Sequence, residues 1–302
     1  MGGLMLLDTP SLYFRAFFGV PETVTASDGT PVNAVRGLLD MIARLVRDRS
    51  PHALVACMDA DWRPAFRVEA LPSYKAHRVA ADGGDQTPDA LATQVPVIEE
   101  VLDAFGIARI GAAGYEADDV IGTLATTQDG EVDIVTGDRD LFQLVRDDKP
   151  VRVLYTARGI KALQVVDEAE VTAKYGVPGR AYADFATLRG DPSDGLPGVP
   201  GVGDKTAAAL ITRFGSLEGV EEALDAGETA GFPPGSRLKL EKARDYLAAA
   251  RTVVRVATRI PLPAFEADVP RKPRDPERLV ALTDRWSLDG PVNRLLAALA
   301  GE

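Results

Sequence analysis

Short, continuous apolar segments alternate with stretches of helical periodicity over the first half of the chain, and this alternation restricts the fold more than any other feature. The apolar segments are residues 4–7, 53–58, 132–135 and 151–155, with 108–110 as a weaker candidate. Between them, residues 32–47, 89–105 and 117–126 carry apolar side chains at three- and four-residue spacing, as amphipathic helices do. The pattern predicts an α/β fold with a mainly parallel central sheet and helices on both faces.

Acidic residues follow three of the predicted strands. Asp8 and Asp59 stand immediately after the strands at 4–7 and 53–58, and Asp138 and Asp140 lie just beyond the strand at 132–135. In a parallel sheet, ligands bind at the carboxyl ends of the strands. We therefore expect these four side chains to meet at one edge of the sheet.

Three more carboxylates, Glu116, Asp118 and Asp119, open the helical stretch at 117–126. Acidic residues are favoured in the first turn of a helix because they meet the positive end of its dipole, which explains one or two of them without any function. If the helix follows the weak strand at 108–110, the same carboxylates reach the edge where Asp8 lies. Taken alone, this segment leaves both interpretations open.

A glycine- and proline-rich hairpin interrupts the helical pattern that begins near residue 181. Glycines permit positive φ and let backbone amides approach a ligand closely, and a lysine in the first turn of the next helix completes a phosphate site. Such contacts carry no sequence information. A tight turn between two helices is the alternative. The candidate phosphate contacts are Gly198, Gly201, Gly203, Lys205 and Thr206.

Asp191 and Asp194 precede this hairpin and are either turn formers or further members of the acidic set. Nine converging carboxylates repel one another unless cations bind or their pKa values rise. Removing nine negative charges from the formal net charge of −11 leaves −2, so the acidity that would oppose a polyanionic partner belongs mostly to this set. Oxygen ligands without histidine or cysteine select Mg²⁺ or Mn²⁺, and two ions about 4 Å apart can hydrolyse a phosphodiester.

The segment 62–88 is basic as far as residue 78 and predicts a long loop, or a mobile pair of short helices, over the acidic edge. Lys75 and Arg78 are the candidate catalytic cations, expected on one helix face at i, i+3, where they would offset charge on a scissile phosphate. Arg63 and Arg67 would steer a nucleic-acid strand. Tyr74 would either stack on a base or pack under the loop.

Arg15 and the overall composition add two further expectations. Arg15 lies in an aromatic segment and, if buried, needs an acid or a phosphate as partner. There is one cysteine, the N-terminus lacks the basic start of a signal peptide, and no apolar run approaches the ~20 residues of a membrane span. The composition therefore favours a cytosolic protein with no internal disulfide.

The motifs that carry these residues resemble the 5′-nuclease superfamily, which includes the 5′-nuclease domain of bacterial DNA polymerase I and the flap endonucleases. The matching stretches, in the family's order over about residues 1–255, are LLDTPSLYFRAFF, CMDADWRPAFR, LPSYKAHR, GYEADDVIGTLA, TGDRDLFQL and LRGDPSDGLPGVPGVGDKTA. The likeness is strongest to stand-alone actinobacterial flap endonucleases. One departure is Thr9, where the family usually has glycine after the first aspartate.

The resemblance implies three regions: a PIN-like nuclease core at 1–180 with a helical arch at 62–88, a helix–three-turn–helix DNA-binding region at 181–258, and a C-terminal extension at 259–302 that packs back on the core. It implies a first metal cluster of Asp8, Asp59, Glu116, Asp118 and Asp119, and a second of Asp138, Asp140, Asp191 and Asp194. It also implies that Lys75 and Arg78 contact the scissile phosphate, and that K⁺ binds at the hairpin.

The implied activity is divalent-metal-dependent 5′-3′ exonuclease and 5′-flap endonuclease cleavage of DNA in replication, Okazaki fragment maturation and repair. The implied partners are 5′ flaps, nicked or gapped duplex, free 5′ ends, RNA–DNA hybrid and a DNA polymerase, for a monomer in the nucleoid-containing cytoplasm. Two alternatives are a non-catalytic binder of branched DNA and a PIN-type ribonuclease. The duplex-gripping hairpin argues against the ribonuclease.

Overall fold

The computed structural model describes residues 2–81 and 83–301 and has a six-stranded sheet at its centre, in the order β3-β2-β1-β4-β5-β6. The strands are β1 (Leu4–Asp8), β2 (Ala53–Cys57), β3 (Ala108–Ile110), β4 (Val132–Thr136), β5 (Val151–Tyr155) and β6 (Gln164–Val166). The first five run parallel, and β6 pairs antiparallel with β5. The predicted parallel sheet is thus confirmed, whereas the sequence analysis missed the three-residue β6.

The helices follow the predicted periodicity with one interruption. They are α1 (Thr9–Gly19), α2 (Asn33–Arg49), α3 (Ala65–Ala70), α4 (Asp89–Ala92), α5 (Val95–Phe105), α6 (Ala117–Thr127), α7 (Glu168–Tyr175), α8 (Tyr182–Arg189), α9 (Asp204–Phe214), α10 (Leu217–Asp225), α11 (Ser236–Lys242), α12 (Arg244–Val254), α13 (Pro276–Trp286) and α14 (Asp289–Ala300). The stretch predicted as one helix at 89–105 breaks before Val95, where the buried Gln94 side chain accepts a hydrogen bond from the Ala34 amide at 2.8 Å.

Hydrophobic layers cover both faces of the sheet, as the alternation predicts. Leu4 and Leu6 of β1 belong to the cluster that holds α6, α8 and α12, whereas Met5 and Leu7 belong to the opposite cluster with α2, α5 and α14. Successive strand residues point to opposite faces, so a fully buried strand needs apolar side chains at every position. This explains the unbroken apolar runs.

The C-terminal residues return to the body of the fold. Helix α13 packs on α5 and α14 packs on α2, while residues 267–269 run beside β2, whose Leu54 amide donates to the Ala267 carbonyl at 2.8 Å. The three-region division stays a prediction. In the part of the chain that the structure describes, no helix combines the length and the apolar character needed to cross a membrane.

The basic segment forms two short helical elements, one of the two forms predicted for it, but neither element carries Lys75 and Arg78 on one face. It contains the short α3 and a 3₁₀ turn at Ala76–Arg78, and Lys75 precedes that turn with φ of 48°. The two candidate catalytic cations therefore do not share a helix face, and this prediction was wrong. Lys75 instead turns its side chain towards Glu116, whereas Arg78 contacts Asp85 at 3.1 Å.

Candidate active site

Hydrogen bonds fix the acidic residues at the ends of the strands. Asp8 caps α1 by accepting the Ser11 amide at 3.2 Å, and its other oxygen accepts the Thr136 hydroxyl of β4 at 2.5 Å. Asp59 accepts the Ala117 amide at the start of α6 at 2.8 Å. Asp8 thus ties β1 to β4, and Asp59 ties the end of β2 to α6.

Thr9, the departure from the family motif, starts α1 and is fully buried. Its hydroxyl donates to the Leu7 carbonyl at 3.4 Å, and it does not line the cleft beside Asp8. The side chain that replaces the usual glycine therefore does not crowd the site.

An open cleft of about 1850 Å³ lies along the carboxyl ends of the strands, and we call it the acidic cleft. The acids predicted as ligands that line it are Asp8, Asp59, Glu116, Asp118, Asp138 and Asp191, and its wall includes Arg15, Lys75 and Arg78. Asp140 and Asp194 lie close enough to this group for their charges to repel those of Asp138 and Asp191. The structure thus brings eight of the nine predicted acids to one region.

Asp119, the ninth acid, is completely buried and belongs to an ion pair. Its oxygens accept the two terminal nitrogens of Arg67 at 2.6 and 3.0 Å, the Ala257 amide at 2.8 Å and the Glu116 amide at 3.2 Å. Each of the two oxygens therefore accepts two hydrogen bonds from the protein. Asp119 is therefore better explained as a structural carboxylate than as a metal ligand, contrary to the sequence-based expectation.

Arg67 departs from its expected role, and Tyr74 takes the second of its two predicted roles. Arg67 is 2% exposed and pairs with Glu116 and Asp119, so it does not steer a strand on the surface. Tyr74 is 3% exposed and donates its hydroxyl to Glu116 at 2.6 Å, so its ring packs under the loop and offers no stacking surface. Sequence analysis missed this network because its contacts span 42 to 52 positions and no local pattern marks them.

Glu116 stands between this buried network and the cleft. One oxygen contacts Arg67 and Tyr74, and the other contacts the Lys75 ammonium, while the residue still lines the cleft. Three donors on its two oxygens fix the orientation of the Glu116 carboxylate. Glu116 therefore holds Lys75 at the edge of the acidic cleft.

Burial and mutual repulsion raise the pKa values of several acids at this edge of the sheet. Burial is the main cause in each case: the pKa of Asp8 rises to about 7, and the pKa values of Asp59 and Asp194 rise to about 6. The pKa values of Asp118 and Asp140 also lie well above their usual range. Burial is the largest cause, and the charges of neighbouring acids are the next. The cations in the wall of the cleft therefore compensate only part of this negative charge.

The donor set fits a hard divalent cation. Every candidate ligand is a carboxylate oxygen, and the buried Oδ1 atom of Asp140 has no hydrogen-bond partner within residues 2–81 and 83–301. Over the same residues, no group of three such side chains is already close enough to enclose an ion. Positive charge brought into the cleft would relieve the repulsion.

The raised pKa values predict how stability depends on pH in the presence of a chelator. A folded-state pKa of about 7 for Asp8, against 3.8 ordinarily, means that the folded state binds more protons. Ionisation of Asp8 therefore lowers the free energy of unfolding by roughly 4 kcal/mol. This loss of stability develops as pH rises from about 4 to about 7. We expect Asp8→Asn to have a higher Tm than wild type at pH 8 and a smaller Tm difference from wild type at pH 5, where only part of the loss has developed. An equal Tm difference at both pH values would contradict the assignment.

Arg15 and Arg63 have different surroundings. Arg15 lines the acidic cleft, and its Nε atom has no hydrogen-bond partner among the residues described, so it stays a candidate contact for a phosphate. Arg63 donates to the carbonyls of Tyr74 and Pro72 at 2.7 and 2.9 Å. It therefore holds the backbone around Lys75 in place.

Only part of the hairpin after α8 remains available as the predicted phosphate site. Gly198 is buried at φ of 70°, and its amide already donates to the Tyr246 hydroxyl at 3.0 Å. It is therefore not free to bind phosphate. Gly201 and Gly203 are exposed, as is Lys205 in the first turn of α9. Those positions can still meet a phosphate group.

The fold and the cleft together define a class of α/β protein with a carboxylate-lined site at the carboxyl edge of a parallel sheet. Comparison with solved structures agrees: the bacteriophage T5 D15 flap endonuclease, in a pseudo-enzyme–product complex with DNA and metal ions, superimposes with a TM-score of 0.64. The superposition covers 99% of this chain and 98% of the T5 chain at 18% identity. At that identity the comparison shows a shared fold.

Sequence families give the narrower assignment. The 5′-3′ exonuclease N-terminal resolvase-like domain matches residues 3–176, and the 5′-3′ exonuclease C-terminal SAM fold matches residues 177–277. A Streptomyces coelicolor protein named 5′-3′ exonuclease is 60% identical over 300 residues, 98% of this chain and 99% of the relative. The chain belongs to the 5′-3′ exonuclease family. DNA polymerase I of Mycobacterium bovis is 47% identical over 227 residues, 74% of this chain but 24% of the polymerase. The resemblance found in the motifs is thereby confirmed.

Proposed function

We propose that this enzyme is a divalent-metal-dependent 5′-3′ exonuclease and structure-specific 5′-flap endonuclease that hydrolyses phosphodiester bonds in DNA. One observation carries the proposal: six predicted acidic ligands line a single cleft whose wall also presents Lys75 and Arg78. The name of the Streptomyces coelicolor relative and the T5 complex with DNA and metal ions support the same activity.

The metal ligands we propose are Asp8, Asp59, Glu116 and Asp118 for one group and Asp138, Asp140, Asp191 and Asp194 for the other. Two bound Mg²⁺ or Mn²⁺ ions would supply an activated water and stabilise the leaving oxygen. The chain's own residues do the rest. Glu116 holds Lys75 beside the cleft, and the Lys75 ammonium, with Arg78, offsets negative charge on the phosphate.

The direct test is digestion of a 5′-labelled flap in Mg²⁺, in Mn²⁺ and in chelator, with product lengths mapped. We expect release of the flap near its junction in either metal, stepwise shortening from a free 5′ end, and no cleavage in chelator. Flap binding without cleavage in either metal would instead identify a non-catalytic binder of branched DNA. Cleavage confined to single-stranded RNA would identify a ribonuclease.

Lys205 provides a test of the hairpin as a phosphate contact. It is exposed in the first turn of α9, a helix whose N-terminus is not capped by a side chain. We expect Lys205→Ala to weaken binding to duplexes of every sequence about equally and to lower the slope of log affinity against log salt by roughly 1. Affinity is measured by fluorescence anisotropy in Ca²⁺. A loss confined to particular base sequences would contradict the phosphate role.

Several finer proposals follow from the family. We propose K⁺ at the hairpin around Gly201, activity on RNA–DNA hybrids, a monomeric enzyme, a DNA polymerase as functional partner, and a place in the nucleoid-containing cytoplasm. The match of DNA polymerase I to this chain supports the replication and repair context. We also propose the regions 1–180, 181–258 and 259–302, since the two family matches meet at residues 176 and 177.

A further inference from the structure

Helix α12 is attached to the duplex-binding hairpin near its first turn. The Tyr246 hydroxyl accepts the Gly198 amide at 3.0 Å and donates to the Thr187 carbonyl at 3.1 Å. This hydroxyl therefore fixes the start of the hairpin to the end of α8 and to α12. Tyr246 is partly buried, so few water molecules compete for these bonds.

The other end of α12 is attached to both acid-bearing elements. The Val253 carbonyl accepts Nε of Arg67 at 3.2 Å, and the Ala257 amide donates to Asp119 at 2.8 Å, in the first turn of α6. The Gln143 side chain donates to the Val254 carbonyl at 3.0 Å and accepts the Val256 amide at 3.1 Å.

These attachments reach both proposed groups of ligands. Gln143 lies in the 3₁₀ turn Asp140–Leu144, which carries Asp140. Asp119 lies in the first turn of α6, between Glu116 and the rest of that helix. Residues 253–257 therefore contact the elements that carry ligands of each proposed group.

We propose that residues 253–257 and α12 set the position of the two acidic groups relative to the hairpin, with Arg67, Gln143 and Tyr246 as positioning residues. The inference rests on the proposed nuclease function. Seven residues separate Tyr246 from Val253, about 10 Å along a helix. A helix with side chains fixed to backbone at both ends keeps that distance constant. DNA held at the hairpin therefore presents one particular phosphate to the acids.

The contacts also explain why Arg67 is buried. Its guanidinium joins Glu116, Asp119 and Val253, which lie on α6 and at the end of α12. A buried cation with three such partners is costly to remove and keeps their geometry fixed. The same Glu116 binds Lys75, so Arg67 also affects the position of the proposed catalytic ammonium.

The test compares Tyr246→Phe and Gln143→Met with a matched control, Tyr175→Phe. The Tyr175 hydroxyl has no hydrogen-bond partner in the described parts of the chain, so its loss removes no hydrogen bond between elements. Three quantities are measured on a 5′-labelled flap: dissociation constant in Ca²⁺, single-turnover rate in Mg²⁺, and the distribution of cut positions. A shift of about 1 Å in a reacting group can cost about 100-fold in rate.

We expect Tyr246→Phe and Gln143→Met to bind the flap with wild-type affinity. We expect each variant to cleave about 10- to 100-fold more slowly and at a wider range of positions. Tyr175→Phe should match wild type in all three. Arg67→Met removes a buried charge and can unfold the protein, so Arg67→Lys, which keeps the charge, is the informative variant. We expect Arg67→Lys to lose less of the cleavage rate than Arg67→Met. A double variant of Tyr246→Phe and Gln143→Met should show a non-additive effect on rate.

The inference would be overturned if Tyr246→Phe and Gln143→Met fold and keep the wild-type single-turnover rate and cut positions. So would a loss of rate that only matches a loss of affinity, because the residues would then act in binding. Failure of the nuclease proposal looks different, since wild type itself would not cut the flap in Mg²⁺ or Mn²⁺.

Discussion

Replacing Asp138 and Asp140 together by alanine abolishes flap cleavage and leaves flap binding in Ca²⁺ intact. Asp138 accepts the Asp140 amide at 2.8 Å, and the buried Oδ1 of Asp140 has no partner within the residues described, so neither side chain holds another element in place. Desolvation in the cleft raises the pKa values of both carboxylates, and at Asp140 the charges of neighbouring acids are the next cause. Their loss removes ligands and relieves repulsion, so we expect a folded, inactive protein.

The measurement is single-turnover cleavage of a labelled flap, with anisotropy in Ca²⁺ for binding and thermal unfolding for stability. The matched control replaces Asp147 and Asp148, two exposed acids in the following loop, by alanine. The control should cleave like wild type. Wild-type turnover by the Asp138/Asp140 variant would overturn the assignment of these acids as metal ligands.

Replacing Lys75 by methionine lowers the single-turnover rate by about 10²- to 10³-fold and leaves the flap affinity in Ca²⁺ near wild type. The ammonium lies beside the cleft, fixed by Glu116 and by a backbone at φ of 48°, and it is already oriented before substrate arrives. Preorganised charge of this kind acts on the transition state more than on the bound substrate.

The control for this variant is Lys242→Met, which removes an exposed ammonium on α11. Lys75→Arg should retain part of the rate because it restores the charge with a different shape. If Lys75→Met reduced affinity and rate by the same factor, Lys75 would be a binding residue. If it changed neither, Lys75 would only neutralise Glu116.

Local patterns in the sequence predicted the sheet and the place of the site. The parallel strands are continuous apolar runs because both faces are covered, and the acids at the carboxyl ends of β1 and β2 must lie at one edge once those strands are parallel. The hairpin before α9 was likewise visible from its glycines and the lysine that follows. These inferences need no knowledge of which distant residues touch.

What the sequence could not predict depends on long-range contacts. Nothing near Arg67 shows that it pairs with Asp119, 52 positions away, and a surface role was the natural expectation for an arginine in a basic segment. Tyr74 was open between stacking and packing until its hydroxyl was seen to contact Glu116. Lys75 lies outside a helix, and Arg63 binds the carbonyls of Tyr74 and Pro72 just before it, a contact that no periodicity reveals.

The central claim is that carboxylates from separate strand ends hold divalent cations. Calorimetric titration of the metal-free protein with Mn²⁺ tests it most directly, with the Asp138→Ala/Asp140→Ala variant in parallel. We predict that wild type binds two or more ions and that the variant binds fewer, while the Asp147/Asp148 control matches wild type. No heat of Mn²⁺ binding to wild type, or equal binding by the variant, would contradict the account.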